Sequence, residues 1–286
     1  MGLIDLHTHS TASDGTLSPA ELVRRAGQLG LSAIALTDHD TVQGLPEALA
    51  EGRAQGVEVV PGCELSVESE AGRPMHILRL FVPQRPENLL AVFSFMKTSR
   101  LVRNQRILDK LARLGIAIDY NEVEVLAGGT IGRPHIARVL VERGVAASFD
   151  RAFEEYLGVR GKAYVPKDKL TPQAGIAALK KDGALAVLAH PYLLSLPEPR
   201  LREMLVQLKS HGLDGLEVLY PEHGFEDQRR FRRLAEELGL AQTGGSDFHG
   251  GVKPDIELGR GRGNLAVPGE LLEALKARLR DQGFAA

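Results

Sequence analysis

One cysteine, Cys63, among 286 residues leaves no partner for an internal disulfide, so a small bridge-stapled scaffold is excluded. The thiol sits beside Glu64 in an apolar segment, where a buried and inert side chain is expected. No apolar run approaches the roughly 18 residues of a membrane span, and the opening MGLIDLHTHS lacks the basic start and long apolar stretch of a secretion signal. The expected location is cytoplasmic. Charge of one sign is missing too: a formal net charge of -2 offers no broad basic face to duplex nucleic acid, although a local cleft could hold one phosphate or a short single strand. Neither a GxGxxG nor a Walker phosphate loop is present. With 43% hydrophobic residues the chain can build a sizeable core, as one large domain or a domain plus an insertion.

What the chain does hold is histidine gathered with carboxylates in short segments: DLHTHS (5–10), TDHD (37–40), GCELS (62–66), MHIL (75–78), AHP (189–191) and SDFH (246–249). Each lies at or just beyond an apolar, strand-like run. His7 and His9 are two apart, so both imidazoles leave one strand end on the same side. The candidate ligands are His7, His9, Asp14, His39, Glu64, His76, His190, Asp247 and His249. One ion needs about four to six donors, so this mixed imidazole and carboxylate set suits two or three divalent ions of the Zn, Mn or Fe type, with Glu64 as the bridging carboxylate. Clustered ions clamp a phosphoryl oxygen, acidify a bound water and stabilise both oxygens of an in-line displacement. The expected chemistry is therefore phosphoester hydrolysis by attack of a metal-bound hydroxide. Asp14 also reads as the turn former of Ser13-Asp14-Gly15, and the two readings are compatible.

Strand-like and helix-like segments alternate, which predicts an α/β fold of parallel strands covered by helices. Ser18-Pro19-Ala20-Glu21 predicts a capped helix start, and Gly30 its end. The beat stops after MHILRLFV: residues 85–165 are rich in Arg, Leu and Glu at helical spacing and read as a helical insertion. It resumes with GALAVLAHP, GLDGLEVLYP and GLAQTGGSDFH, for about seven strands in all. In a (β/α) barrel the loops after the strands meet at one rim, which accounts for ligands spread along the whole chain.

Taken in order, DLHTHSTASDG, LTDHD, GCELS, MHIL, AHP and GSDFH resemble the metal motifs of the polymerase-and-histidinol-phosphatase (PHP) family, from residue 5 to 249. The likeness extends to its stand-alone bacterial phosphoesterases, which act on nucleoside 3′,5′-bisphosphates and 5′-phosphorylated RNA ends. It implies a distorted (β/α)7 TIM-like barrel built from residues 1–84 and 166–286, with 85–165 covering a trinuclear site. By the same resemblance His7, His9, Glu64 and Asp247 hold one ion, Asp14, His39 and His249 a second, and Glu64, His76 and His190 a third. GRPHIAR (132–138) resembles the segment that meets substrate phosphate, which implies Arg133 and His135 as phosphate-gripping residues and His135 as a proton donor. Arg79 departs from the pattern, where relatives carry a glycine nearby, and bears on the pocket rim. The implied substrate is a phosphorylated nucleotide or short single-stranded RNA. Histidinol phosphate is the alternative, and a non-catalytic metal-binding or scaffold protein the rival from another class.

Around the set, Asp5, Asp38 and Asp40 are candidates for bracing the ligands, with capping as the other reading of Asp40. His223 follows a strand at the ligand-bearing rim and is a candidate substrate contact, whereas His211 has no assigned role. Lys162, Lys167 and Lys169 are either phosphate-entry or solvated charges. RNQR (103–106) and the arginines at 229, 230, 232 and 233 read mostly as exposed helix faces.

Overall fold

Ser18 opens the first helix as its sequence requires. Its hydroxyl accepts the Glu21 N–H at 3.3 Å, while the Glu21 carboxylate accepts the Ser18 N–H at 2.8 Å. Helix α1 (Pro19–Gln28) buries Leu22, Val23 and Ala26 and stops before Gly30, whose φ of 73° suits a residue without a side chain. This computed structural model describes residues 2–69, 72–127, 131–166, 168 and 170–284. Lys167 and Lys169 lie outside the described residues.

The chain divides into two compact units, Met1–Leu90 with Leu170–Ala286, and Ala91–Lys169. The first contains β1 (Leu3–Thr8), α1, β2 (Ala33–Leu36), α2 (Leu45–Gln55), β3 (Glu58–Glu68) and β4 (Pro74–Leu80). The helical stretch α3 (Glu87–Arg113), α4 (Tyr120–Ala127), α5 (Arg133–Glu142) and α6 (Phe149–Ala152) follows, with no strand among the described residues of the second unit. Its core is its own, with Ile107, Leu111, Ile136, Val139, Leu140 and Leu157 all fully buried. The first unit then resumes with α7 (Pro172–Lys181), β5 (Leu185–Leu188), α8 (Glu198–Ser210), β6 (Gly215–Leu219), α9 (Phe225–Leu238), β7 (Ala241–Gly244), β8 (Val267–Pro268) and α10 (Glu270–Asp281).

Eight strands run in the order β7-β6-β5-β4-β3-β2-β1-β8, a nearly closed barrel. The eighth is a two-residue strand beside β1. The expectation of parallel strands throughout is corrected at β4, which is antiparallel to both β3 and β5. A parallel return needs a crossover of a dozen or more residues. Here β3 ends at Glu68 and β4 begins at Pro74, too close for a crossover, and Ser69 N–H donates to Arg73 O at 2.9 Å. The ring closes above β7, where Asp247 N–H donates to His7 O at 2.8 Å and His9 N–H to Phe248 O at 2.9 Å. Gly245 makes this approach possible, because a Cβ there would stand 2.3 Å from the His7 Cβ. Gly245→Ala is expected to lose ~1–3 kcal/mol of stability, the range for overpacking, as read from urea unfolding midpoints. An unchanged midpoint would show that the junction yields.

Arg79 does not reach the pocket rim. It lies on the face of β4 opposite Leu78 and Leu80, fully buried, and its Nη1 donates to Asp182 Oδ2 at 3.1 Å. Asp182 is the C-cap of α7 and also accepts from Asn88 and Leu89. Burial pushes the thiol of Cys63, the cross-strand neighbour of Arg79, up to about 12, in line with an inert cysteine. The run at 103–106 is only partly a solvated face: Asn104 is buried and donates to Ile131 O at 3.0 Å, and Arg103 donates to Val165 O at 3.2 Å. Arg230 is likewise drawn in, donating to Leu196 O at 2.8 Å. Among the described residues no helix is long and apolar enough to cross a membrane.

Candidate metal centre

The nine candidate ligands all belong to the first unit, and the barrel brings them together. His7 ends β1 and His9 follows it, and both Nε2 atoms face Glu64 Oε2 (3.3 and 3.2 Å) and Asp247 Oδ1 (3.5 and 3.2 Å). His39 follows β2, where Asp40 N–H donates to Glu64 O at 3.0 Å and so carries the β2–β3 pairing past the strand end. Glu64 and His76 come from within β3 and β4, and not from loops beyond the strands. Because β4 runs antiparallel, its first residues lie at the rim where β1 and β2 end, which is how His76 arrives there.

Glu64 is the hub. Its Oε2 lies 3.1 Å from His39 Nδ1, besides His7 and His9, while its Oε1 lies 2.9 Å from both His76 Nδ1 and His190 Nε2. Asp14 stands 3.4 Å from His249 Nε2, 3.7 Å from His9 Nδ1 and 3.8 Å from His39 Nε2. Donor atoms within 4.8 Å of one another fall into three sets: His7, His9, Glu64 and Asp247; His9, Asp14, His39 and His249; and His39, Glu64 and His76. His190 joins the third through its contacts with Glu64 and, at 3.2 Å, with His76.

The donor set fits divalent cations. His7 Nε2, both ring nitrogens of His9 and His39 Nδ1 are buried without a hydrogen-bond partner, although carboxylate oxygens surround them. Buried polar atoms of this kind call for an explanation. Donors sharing one ion at about 2.0–2.2 Å stand ~3–3.5 Å apart, as these do. The electrostatics agree. Burial opposes ionisation of Glu64, yet the charge on His7 and hydrogen bonds with His190, His7 and His76 hold its carboxyl well below the usual range. Asp247 and Asp14 are likewise held low against their burial, Asp247 chiefly by His7 and His9 and Asp14 chiefly by His249 and His39. His9 is raised to about 9 despite burial, by Asp247 and Glu64, whereas burial and the neighbouring His9 and His76 lower His39 to about 4.

Three supporting residues escape the motif reading. Glu217, on β6, accepts His7 Nδ1–H at 3.0 Å and the His190 N–H at 2.6 Å, so the His7 lone pair at Nε2 is turned toward the cluster. A glutamate inside the apolar run GLEVL was the available signal. Tyr220 and Lys253 both donate to Asp247 Oδ2, at 2.9 and 2.6 Å, leaving Oδ1 to the imidazoles. Nothing in the spacing of Lys253 marks it. His249 Nδ1–H donates to Asp247 O at 2.7 Å, which fixes its tautomer in the same sense.

The acidic neighbours act on backbone. Asp5 accepts Ser246 N–H at 2.8 Å, Ser246 Oγ–H at 2.5 Å and Gly259 N–H at 2.8 Å. Asp38 accepts Ser10 N–H at 2.7 Å and Ser13 Oγ–H at 2.6 Å, so it braces the turn after His9 and not the His39 ring. Asp40 accepts Ser66 N–H at 2.8 Å. His223 is buried against Phe231 and donates Nδ1–H to Val218 O at 2.8 Å. His190, Asp40 and Asp247 all have positive φ (26°, 51° and 55°), strain that persists where surrounding contacts over-determine it.

Arg133 and His135 belong to the second unit, at the start of α5. Arg133 Nη1 donates to Leu157 O at 3.0 Å and its guanidinium lies 5.7 Å from the Phe153 ring centroid. The Gly132 N–H donates to His135 Nδ1 at 3.0 Å, which puts the ring proton on Nε2. Lys162 lies over the Tyr156 ring at 5.8 Å.

Comparison with known proteins agrees with this geometry. Residues 5–165 match the family model for the PHP domain. A 5′-3′ exoribonuclease of Haemophilus influenzae is 36% identical over 86% of this chain and 89% of its own length. A 3′,5′-nucleoside bisphosphate phosphatase of Chromobacterium violaceum is 31% identical over 87% and 88%. A solved structure from Bifidobacterium adolescentis, described provisionally as a metal-dependent phosphoesterase, superposes with a TM-score of 0.70 at 31% identity and covers 96% of both chains. With the rim of histidines and carboxylates, these matches establish that the chain belongs to the PHP domain family of metal-dependent phosphoesterases, hydrolases of phosphoric ester bonds.

Proposed function

We propose that the protein hydrolyses phosphate esters of nucleotides, as a nucleoside 3′,5′-bisphosphate phosphatase, a 5′-to-3′ exonuclease on short 5′-phosphorylated RNA, or both. The observation that carries the chemistry is Glu64, whose two oxygens are divided between His7, His9 and His39 on one side and His76 and His190 on the other. The nucleotide substrate is supported by relatives that match most of the chain.

On this reading His7, His9, Asp14, His39, Glu64, His76, His190, Asp247 and His249 hold two or three divalent ions of the Mn, Fe or Zn type. When bound, such ions supply positive charge to the phosphoryl oxygens and acidify a water. The residues do the rest. Glu64 and Asp247 provide the anionic donors, and Glu217 keeps the His7 proton on Nδ1, away from the cluster. Arg133 offers a planar pair of N–H donors to the phosphate. The water oxygen bonds to phosphorus as it releases a proton to solvent, the ester P–O bond breaks, and the leaving oxygen is protonated from solvent, while His135, whose Nδ1 accepts the Gly132 N–H, offers Nε2–H to that oxygen as a hydrogen-bond donor.

Glu217→Ala is expected to lower metal affinity or kcat/KM ~10–100-fold, the effect of losing a partner that orients a ligand. Wild-type values in this variant would remove Glu217 from the account. The direct test pairs metal analysis with phosphate release from adenosine 3′,5′-bisphosphate, 5′-AMP, histidinol phosphate and a short 5′-phosphorylated RNA. Bound metal with turnover of the bisphosphate or RNA supports the proposal. Turnover of histidinol phosphate alone would move the protein to the alternative substrate.

A further inference from the structure

We propose that a recess opening off the metal centre is the subsite for the nucleobase of the substrate. This rests on the nucleotide reading and deepens it. The recess has a volume of about 260 Å³ and is lined by Arg73, Met75, Leu193 and Leu194 together with His76 and His190. The last two are candidate metal ligands, so the recess and the phosphate position share a wall. The part of a substrate next to a phosphate at the cluster therefore lies within reach of the recess.

The size and the walls select a planar ring. Pockets that enclose a whole drug-sized ligand start at roughly 300 Å³, so this one takes a ring system and not a complete nucleotide. Methionine and leucine side chains suit the apolar faces of a base and disfavour a second phosphate, which would need several donors. Arg73 is the one long cation in the lining, and its Nη1 donates to Leu194 O at 3.0 Å, which fixes the guanidinium beside the opening. A guanidinium carries further N–H donors and a flat face, suited to the acceptor edge or the π-face of a base.

The turn that forms the far wall is built to stay. His190 and Ser195 bracket the short helix Pro191–Leu194 in positive φ (26° and 49°), and Arg73 clasps its last carbonyl. Yet Leu193 is 55% exposed, a large apolar side chain held at the lip of the recess with nothing over it. A base stacked there would cover it.

The test compares kcat/KM for adenosine 3′,5′-bisphosphate with that for its abasic counterpart, 1-deoxyribose 3,5-bisphosphate, in the wild type, Arg73→Ala and Leu193→Ala. Both side chains lie at the surface, so folding should survive, and a melting curve checks it. The wild type should favour the base-bearing compound ~10-fold or more, the scale of one base stacked on a side chain. Each variant should shrink that ratio toward one, mainly through KM. Calorimetric binding of adenosine to chelator-treated protein should weaken in the same order, without reference to turnover. A wild-type ratio near one, or equal losses on both compounds in the variants, would overturn the subsite while leaving nucleotide hydrolysis intact. Hydrolysis of neither bisphosphate, with histidinol phosphate cleaved, would overturn the nucleotide reading itself and the subsite with it.

Discussion

Glu64→Gln is expected to abolish phosphate release while the barrel stays folded. Glutamine has the same shape, so packing within β3 is kept, but the buried negative charge that five imidazoles share is gone. Its amide also turns a donor toward one of the two histidine groups. The loss should exceed the ~10–100-fold that follows from removing a residue behind a ligand, because Glu64 contacts both groups directly. Metal content should fall in parallel. Circular dichroism checks the fold, elemental analysis the ions and phosphate release the activity. Full metal content with near-normal turnover in a folded Glu64→Gln protein would end the bridging role.

Asp182→Ala should be the most destabilising change away from the centre. It strips the partner from a fully buried Arg79, and breaking one half of a buried ion pair costs about 3–5 kcal/mol. Arg79→Met should cost less, because the Asp182 carboxylate it leaves behind keeps donors from Asn88 and Leu89, and it should leave kcat untouched. The pair also has a sign in pH. Burial raises the Asp182 carboxyl, but donors from Asn88, Leu89 and Arg79 outweigh it and hold the group below its ordinary value. Its contribution is therefore complete above the unfolded carboxyl's ~3.9 and is lost as pH falls through the lower folded value. Wild-type unfolding midpoints should accordingly fall more steeply below about pH 4 than those of Asp182→Asn. Parallel curves would show that Asp182 is not the titrating group.

The α/β alternation was legible because its signals are local. Ser18 with Glu21 marks a helix start, and Phe231, Leu234 and Leu238 recur at helical spacing and are buried. The antiparallel β4 was not legible, since MHILRLF reads as an apolar strand whichever way it runs. Direction is set by the few residues between Glu68 and Pro74, which are too short for a crossover and carry no signal beyond their length. The candidate ligands could be read because imidazole and carboxylate recur in compact groups. Tyr220 and Lys253 could not, because what defines them is a shared acceptor, Asp247 Oδ2, that only the folded chain brings near. Arg79 misled for a related reason: in an apolar run such as MHILRLF, whether a charged residue lies on the face of Leu78 and Leu80 or on the other depends on which face of the pleat turns inward, and that is known only in the folded sheet.

The closure of β1 onto the segment after β7 has a consequence for how the protein is made. The backbone that meets His7, at Asp247 and Phe248, is synthesised some two hundred and forty residues after it. Until then the early histidines sit in a cluster that lacks its last carboxylate and its last imidazole. On the proposed metal reading, an ion met by the nascent chain would find these two donors missing, so the full donor set exists only once the ring has closed.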